Sequence, residues 1–388
     1  MKMRWQQLPP VGNKVLLSSS SSDLSKIRRL FSPKEIRFYQ SGTAALASAM
    51  MIAKQYADKL QPEVLIPAYA CPDLVSAANY AGLTPVLHDF EKNTPWYDIN
   101  SIENKINNKT VAIVAVNFLG INERLPELSQ LARKHNITLI EDSAQAFPTT
   151  HISSAWIGDL AITSFGRGKP ISMLGGGLLI VSNEKYHSFV SEQTFSYGNE
   201  SQLLSKIKTR IFNQILNPVL YNLIASLPFL DIGETQYKEL ETIENMSLFI
   251  REHLFENISA YQKRDQTIVR DIYQFAFSQL DQKGIIDLPV KCQQPNNLYL
   301  RYPILVTDPN DRKDLFQELD RKGLGCSLMY KKSLPLISGV EQQFSEQQNN
   351  PVADCFANQL ITLPIHPSVT TENAKTIVSI IQKYIKKA

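Results

Sequence analysis

The run Ser164-Phe165-Gly166-Arg167-Gly168-Lys169-Pro170, followed by Gly175-Gly176-Gly177, places one lysine on a loop bracketed by glycines. Upstream, an apolar stretch delivers Glu141-Asp142-Ser143-Ala144-Gln145. A lysine amine can hold an aldehyde as a Schiff base and then shuttle a proton, while a carboxylate at a strand end can keep a pyridine nitrogen protonated. Lys169 and Asp142 therefore read as two ends of a cradle for pyridoxal phosphate (PLP), with Gln145 beside the cofactor's phenolic oxygen. Taken alone, Asp142 would be a turn cap and Lys169 a surface cation. A nucleotide phosphate loop is the competing reading of the glycines, but that motif needs Gly-x4-Gly-Lys-Ser/Thr, and here Thr163 and Pro170 fill its first and last positions.

The cofactor's phosphate requires amide donors at a helix start, where exposed N–H groups and the macrodipole favour an anion. Ser41-Gly42-Thr43-Ala44-Ala45-Leu46 supplies one: Gly42 permits close approach, Thr43 adds a hydroxyl, and Ser164 can donate from the strand before the lysine. An amino-group donor also has an α-carboxylate to be held, preferably by a guanidinium. Arg167 and Arg301 are the candidates, each equally readable as a solvated or salt-bridged arginine. Tyr330 is a weaker candidate for the pocket wall, and His366 reads as structural.

These groups need a scaffold that brings strand ends together. Apolar segments at Val64–Pro67, Thr84–Phe90, Val111–Val116, Ile137–Ile140, Ala161–Phe165 and Leu178–Val181 are separated by helical stretches at Thr43–Asp58, Asp73–Ala81 and Pro126–His135. That alternation predicts an α/β fold with a mostly parallel sheet covered on both faces. Asp23 is a possible N-cap after the serine run 18–22. From Met246 to about Leu280 a helical stripe predicts a linker to a smaller C-terminal α+β domain, with strands at Tyr299–Val306 and Ile361–Ile365 and helices at Asp311–Lys322 and Glu372–Lys386. The expected organisation is a large domain over 1–245, with an N-terminal arm 1–33 and an insert near 203–230, and a small domain over 246–388.

The insert stands apart. Ile211 to Leu230 lacks charge, and Ile211, Ile215, Leu216, Val219, Leu220, Leu223, Ile224 and Leu227 share one face of a continuous helix. Pro218 and Pro228 argue against a membrane span. It reads as a helix packed on its own protein or a partner subunit, or as an interfacial helix anchored by Lys206, Lys208 and Arg210 against a membrane or a lipid-linked substrate.

Forty basic against 37 acidic residues, with no long basic block, give no reason to invoke nucleic acid. Cys71, Cys292, Cys326 and Cys355 are scattered without a CxxC pair, which argues against a disulfide framework or a zinc site and suits a reducing cytoplasm. The N-terminus lacks the apolar core of a signal peptide, so a cytoplasmic protein is expected.

Ser41-Gly42-Thr43-x-Ala45-Leu46, Ala81-Gly82-Leu83-Thr84-Pro85-Val86, Asn117-Phe118-Leu119-Gly120, Glu141-Asp142-Ser143-Ala144-Gln145-Ala146, Ser164-Phe165-x-x-x-Lys169 and Thr362-Leu363-Pro364 together resemble the DegT/StrS group of fold-type-I PLP enzymes. These are sugar aminotransferases that use glutamate to aminate nucleotide-linked keto sugars. The resemblance implies a fold-type-I transferase, with Lys169 as the Schiff-base residue, Asp142 as the pyridine partner and Gln145 near O3′. It further implies that Gly42, Thr43 and Ser164 contact the phosphate, and that a homodimer has its site at the subunit boundary. It also separates the chain from the group's dehydratase branch, which has histidine in place of this lysine.

Three departures bear on the substrate. Cys71 stands where the group has an aromatic residue over the cofactor ring, with Tyr69 as a possible substitute. The group's Asn-x-Arg-Met-Ser becomes Ile243-Glu244-Asn245-Met246-Ser247. The insert has no counterpart. A PLP enzyme of another reaction type, such as a lyase or an acyl-substrate enzyme, and a PLP-binding protein without turnover are the rival readings.

Overall fold

The computed structural model describes residues 6–18, 24–198, 200–225, 236–280, 284–347 and 349–385. Asp23 with residues 19–22, the end of the apolar insert from 226 to 230, and Lys386 lie outside the described residues.

Seven strands form the principal sheet: β1 (Glu35–Tyr39), β2 (Glu63–Pro67), β3 (Thr84–His88), β4 (Thr110–Val116), β5 (Thr138–Asp142), β6 (Leu160–Ser164) and β7 (Gly177–Val181), in the order β1-β7-β6-β5-β4-β2-β3. From β3 through β6 every pairing is parallel, whereas β7 runs antiparallel to both β6 and β1. The sheet is therefore mostly parallel and flanked by helices, as the alternation implies. All seven positions of β4 and all five of β5, β6 and β7 are buried, so both faces must be covered. On one face the alanine-rich helix Gly42–Ala57 packs over β6 and β7, its small side chains allowing close approach. On the other, Phe249, Ile250, Leu254 and Ile258 of the helix Leu248–Gln262 join Ile36, Phe38, Leu178 and Ile180 in a second core.

A smaller antiparallel sheet, β8 (Ile285–Asp287), β9 (Tyr302–Val306) and β10 (Leu360–Leu363), is ordered β10-β9-β8 and packs against helices Thr267–Ser278 and Pro309–Arg321, which in turn contact helix Thr371–Ile385.

Two helical expectations need correction. The stripe from Met246 to Leu280 is two helices, Leu248–Gln262 and Thr267–Ser278. The break comes where Asp265 Oδ1 accepts from Thr267 N (2.8 Å) and Gln266 turns its amide onto the backbone of Tyr299. The insert likewise is not one continuous helix with a single apolar face. Gln202–Ile215 ends, Asn217 Oδ1 accepts from Val219 N (3.0 Å), and Pro218–Ala225 begins on the proline, which has no N–H to extend the preceding helix.

The N-terminal arm runs extended across several elements. Leu8 N donates to Gly323 O (2.9 Å), Pro9 O meets His366 Nε2 (2.9 Å), and Leu16 exchanges backbone hydrogen bonds with the Asn257 side chain. Gly12 is required here, since a Cβ would lie 2.3 Å from the His366 ring.

Candidate active site

The parallel strands β2 to β6 all end on one edge, where open α/β sheets hold their ligands. Gly42, Thr43, Tyr69, Cys71, Asp142, Gln145, Ser164, Lys169 and Tyr330 line one pocket of about 600 Å³ there, counting its open mouth.

One end of the pocket is a helix start. Ser41 caps it, its hydroxyl accepting from Ala44 N (3.1 Å), and the first turn carries no acidic residue. Gly42 lies so close to β6 that a Cβ would sit 2.5 Å from Ser164 Cβ and 2.7 Å from Ser164 Oγ. Thr43, Ser164 and the helix start thus line the same end of the pocket, and any larger residue at 42 would push the helix start and β6 apart.

Deeper in, Asp142 ends β5, its Oδ1 accepting from Ala144 N (2.9 Å). Burial raises its carboxyl above the usual range, while the Ala144 amide and the Lys169 charge pull it back, so Asp142 and Lys169 sense each other. Glu141 serves the scaffold. Its Oε2 accepts from Ile157 N (2.9 Å) and Gly158 N (3.1 Å), and Asn117 and Ser143 bond its Oε1. Gln145 is fixed in orientation: Oε1 accepts from Leu119 N (3.2 Å) and Nε2 donates to Tyr330 Oη (2.9 Å).

Tyr69 Oη in turn donates to Tyr330 O (2.8 Å), and the Tyr69 ring is wedged edge-on among Phe90, Phe118, Tyr330 and Phe356. It forms part of the wall of an aromatic cluster. Burial, then the neighbouring Asp73, push the Cys71 thiol up to about 12, so it meets the pocket as a neutral thiol.

The two arginines part company. Arg167 is exposed, with Gly168 at φ +76° turning the chain between it and Lys169, and neither Arg167 nor Arg301 is among the residues that line the pocket. Arg301 is half-buried beside Tyr330 and Tyr69. Its Nη1 donates to Ser327 Oγ (2.9 Å), and its buried Nε has no hydrogen-bond partner among the described residues. Burial lowers its pKa, and its nearest balancing groups are the phenols of Tyr330, Tyr221 and Tyr69. A guanidinium in that setting is a receptor for an anion.

Three groups escaped the sequence reading. Asp73 lines the pocket at a helix start, which the Pro72-Asp73 pair signals. Asn13 donates to the carbonyls of Lys169 (3.1 Å) and Pro170 (3.2 Å), and Arg264 Nη1 donates to Pro170 O (2.8 Å). Nothing local to those residues announces contacts so distant in the chain. Among the described residues no cluster of His, Cys, Asp or Glu could hold a metal ion.

A doubly covered, mostly parallel sheet with a lysine loop, a strand-end aspartate and a glycine-opened helix start around one pocket defines a fold-type-I PLP-dependent aminotransferase. The residues fit that cofactor's three polar ends: phosphate, pyridine nitrogen and aldehyde. The profile of the DegT/DnrJ/EryC1/StrS aminotransferase family matches residues 36–214 and 241–382, and the chain belongs to that family. The unmatched stretch between them contains the end of the insert.

Among relatives, the chain is 30% identical over 176 residues to GDP-perosamine synthase of Escherichia coli O157:H7, a match covering 44% of this chain and 47% of that protein. It is 23% identical over 317 residues to the UDP-2-acetamido-2-deoxy-3-oxo-D-glucuronate aminotransferase of Pseudomonas aeruginosa, covering 81% and 77% of the two chains. Among solved structures it resembles Helicobacter pylori PseC, an aminotransferase involved in the biosynthesis of pseudoaminic acid, with a TM-score of 0.68 at 16% identity over 99% of this chain and 100% of that one.

Proposed function

We propose that this protein moves an amino group from glutamate to the keto group of a nucleotide-linked sugar, in the making of a surface polysaccharide or glycoconjugate, and that it works as a homodimer. The supporting observation is the convergence of Lys169, Asp142 and the Gly42 helix start on one pocket, in a chain whose relatives include nucleotide-sugar aminotransferases.

Bound PLP supplies an aldehyde that takes up the donor's amine and a ring that draws electrons from the carbon losing its proton. The residues do the rest. Gly42, Thr43 and Ser164 hold the phosphate at the helix start. Asp142 would pair with the pyridine nitrogen, a buried carboxylate there favouring its protonated form. Gln145, braced by Leu119 and Tyr330, has one N–H left that would be available to the phenolic oxygen. Lys169 Nζ would hold the aldehyde and would carry a proton between the donor and acceptor carbons. Arg301 would bind the donor's α-carboxylate, Tyr69 and the Cys71 thiol would border the cofactor, and Tyr330 would border the substrate. Arg301 is preferred to Arg167 for the carboxylate because it is half-buried beside Tyr330, whereas Arg167 is exposed.

Absorbance tests the assignment. Purified protein is expected to carry the visible band of lysine-bound PLP. L-glutamate should convert it to the amine form of the cofactor, and a nucleoside-diphosphate keto sugar should restore the band. A band that glutamate leaves unchanged overturns aminotransfer, and a protein without any chromophore overturns PLP binding. Lys169→Ala should lose the visible band and retain the fold.

A further inference from the structure

The helix Gln202–Ile215 is amphipathic the wrong way round for a helix packed only on its own protein. Ser205 and Thr209 are buried against the body, and Asn213 faces the arm, accepting from Val15 N (2.9 Å) and donating to Val15 O (2.8 Å). Its apolar side chains face out: Leu203 is 67% exposed, and Leu204, Ile207 and Ile211 are exposed with it. At about 100° per residue these four fall within an arc of roughly 100°. Lys206 and Arg210 flank one edge of that stripe and Lys208, 3.7 Å from Glu200, flanks the other. The helix Pro218–Ala225 extends the surface with exposed Val219, Leu220 and Leu223. From Gln202 through Ala225 there is no acidic residue.

An outward apolar stripe edged on both sides by cations is the arrangement of a helix lying in a membrane interface. The apolar side chains enter the acyl boundary, and the Lys and Arg stems reach back to anionic headgroups. A second copy of this chain is the competing occupant: a two-fold contact could bring other residues to this face, and the oligomer readout below separates it from lipid. Among the described residues no helix is long and apolar enough to cross a membrane.

We propose that the helical pair from Gln202 to Ala225 is a foot that rests on an anionic lipid surface, with Leu203, Leu204, Ile207 and Ile211 inserted and Lys206, Lys208 and Arg210 against the headgroups. The proposal stands independently of the reaction catalysed.

Flotation of the full-length holoprotein with vesicles tests it. Vesicles of mixed phosphatidylglycerol and phosphatidylcholine should carry the protein up the gradient, pure phosphatidylcholine vesicles should carry about tenfold less, and raised salt should weaken the first. Ile207→Asp with Ile211→Asp, or Lys206→Glu with Arg210→Glu, should each cut binding to anionic vesicles at least about tenfold. All four side chains are solvent-exposed and outside the pocket, so the solution spectrum and activity should not change. Absence of flotation with anionic vesicles overturns the proposal. So does flotation indifferent to either double substitution, or a dimer that dissociates on Ile207→Asp with Ile211→Asp, which would make the face a contact between copies.

Discussion

Asn13 Nδ2 lies 3.1 Å from the carbonyl oxygen of Lys169, joining the N-terminal arm to the loop that carries the pocket's amine across 156 residues of sequence. The same amide reaches Pro170 O (3.2 Å), which also accepts from Arg264. The backbone on either side of the Lys169–Pro170 bond is thereby tied to two separate parts of the molecule, and the direction in which the lysine side chain enters the pocket depends on those ties. Asn13→Leu keeps the volume and removes both donors. Each lost bond is worth about 1 kcal/mol, so the fold should survive while residues 166–174 exchange amide hydrogens faster and kcat falls on the order of tenfold. Unchanged exchange in that loop would mean the ties do not restrain it.

Asp142→Asn is nearly isosteric, and its carbonyl can still accept from Ala144 N, which holds the loop at 2.9 Å. It cannot keep a pyridine nitrogen protonated by charge. We expect normal folding, retained cofactor and a fall in kcat on the order of 10²-fold or more, the scale of one positioned charge, read by stopped-flow with glutamate. A loss of only a few fold would remove Asp142 from the assigned role.

Arg301 has no carboxylate among the groups that balance it. If a substrate carboxylate completes the arrangement, Arg301→Gln should raise KM for glutamate by about 10- to 100-fold, the equivalent of a charge-assisted hydrogen bond of roughly 1.5–3 kcal/mol. Arg301→Lys should recover part of the loss. Equal damage to the glutamate half-reaction and to the keto-sugar half-reaction would argue for a structural arginine.

Gly42→Ala should act on the cofactor before it acts on stability. The added methyl would lie 2.5 Å from Ser164 Cβ, so the helix start or the β6 end must move apart at the phosphate cradle. A cofactor dissociation constant raised by about tenfold or more, measured by equilibrium dialysis with PLP, is the expected result.

His88 ends β3, fully buried against the Tyr97 ring at 4.3 Å between centroids. Burial holds its pKa down to about 3, against 6.5 for the free side chain. Between those values the unfolded chain binds the proton and the folded one does not, so acidification favours unfolding there. His88 should therefore cost no stability above pH 6.5 and roughly 1–2 kcal/mol by pH 5. Urea unfolding at pH 7.5 and pH 5 reads this, and His88→Phe should flatten the difference. An equal pH dependence in the variant would assign the loss to other groups.

Much of this architecture is written locally. Val111–Val116 is apolar at every position, which only a strand covered on both faces tolerates, and Gly82 closes the helix Asp73–Ala81 with φ +66°, as its position at the end of the apolar pattern signals. By contrast, β1 passed unnoticed because Glu35-Ile36-Arg37-Phe38-Tyr39 is short and alternating, and it becomes a strand by pairing with β7, which lies some 140 residues on. The breaks at Asp265 and Pro218 were also missed, although the polar run Gln262 to Thr267 interrupts the first stripe and a proline marks the second; Asp265 and Asn217 each accept a backbone N–H at the start of the helix that follows.

The sequence by itself determined the chemistry on offer: the amine of Lys169, the acid of Asp142, the amide-rich start at Gly42 and the strand ends that carry them, since residue type and local periodicity follow from the chain alone. Tertiary structure decided where the remaining groups stand relative to the pocket. It set Arg301 beside Tyr330 and left Arg167 exposed, although Arg167 is the closer to Lys169 in sequence. It brought Asn13 to the lysine loop, and it turned the polar side of the helix Gln202–Ile215 inward. Those outcomes depend on where distant segments come to rest, and burial and hydrogen bonding between segments are set only when the whole chain packs.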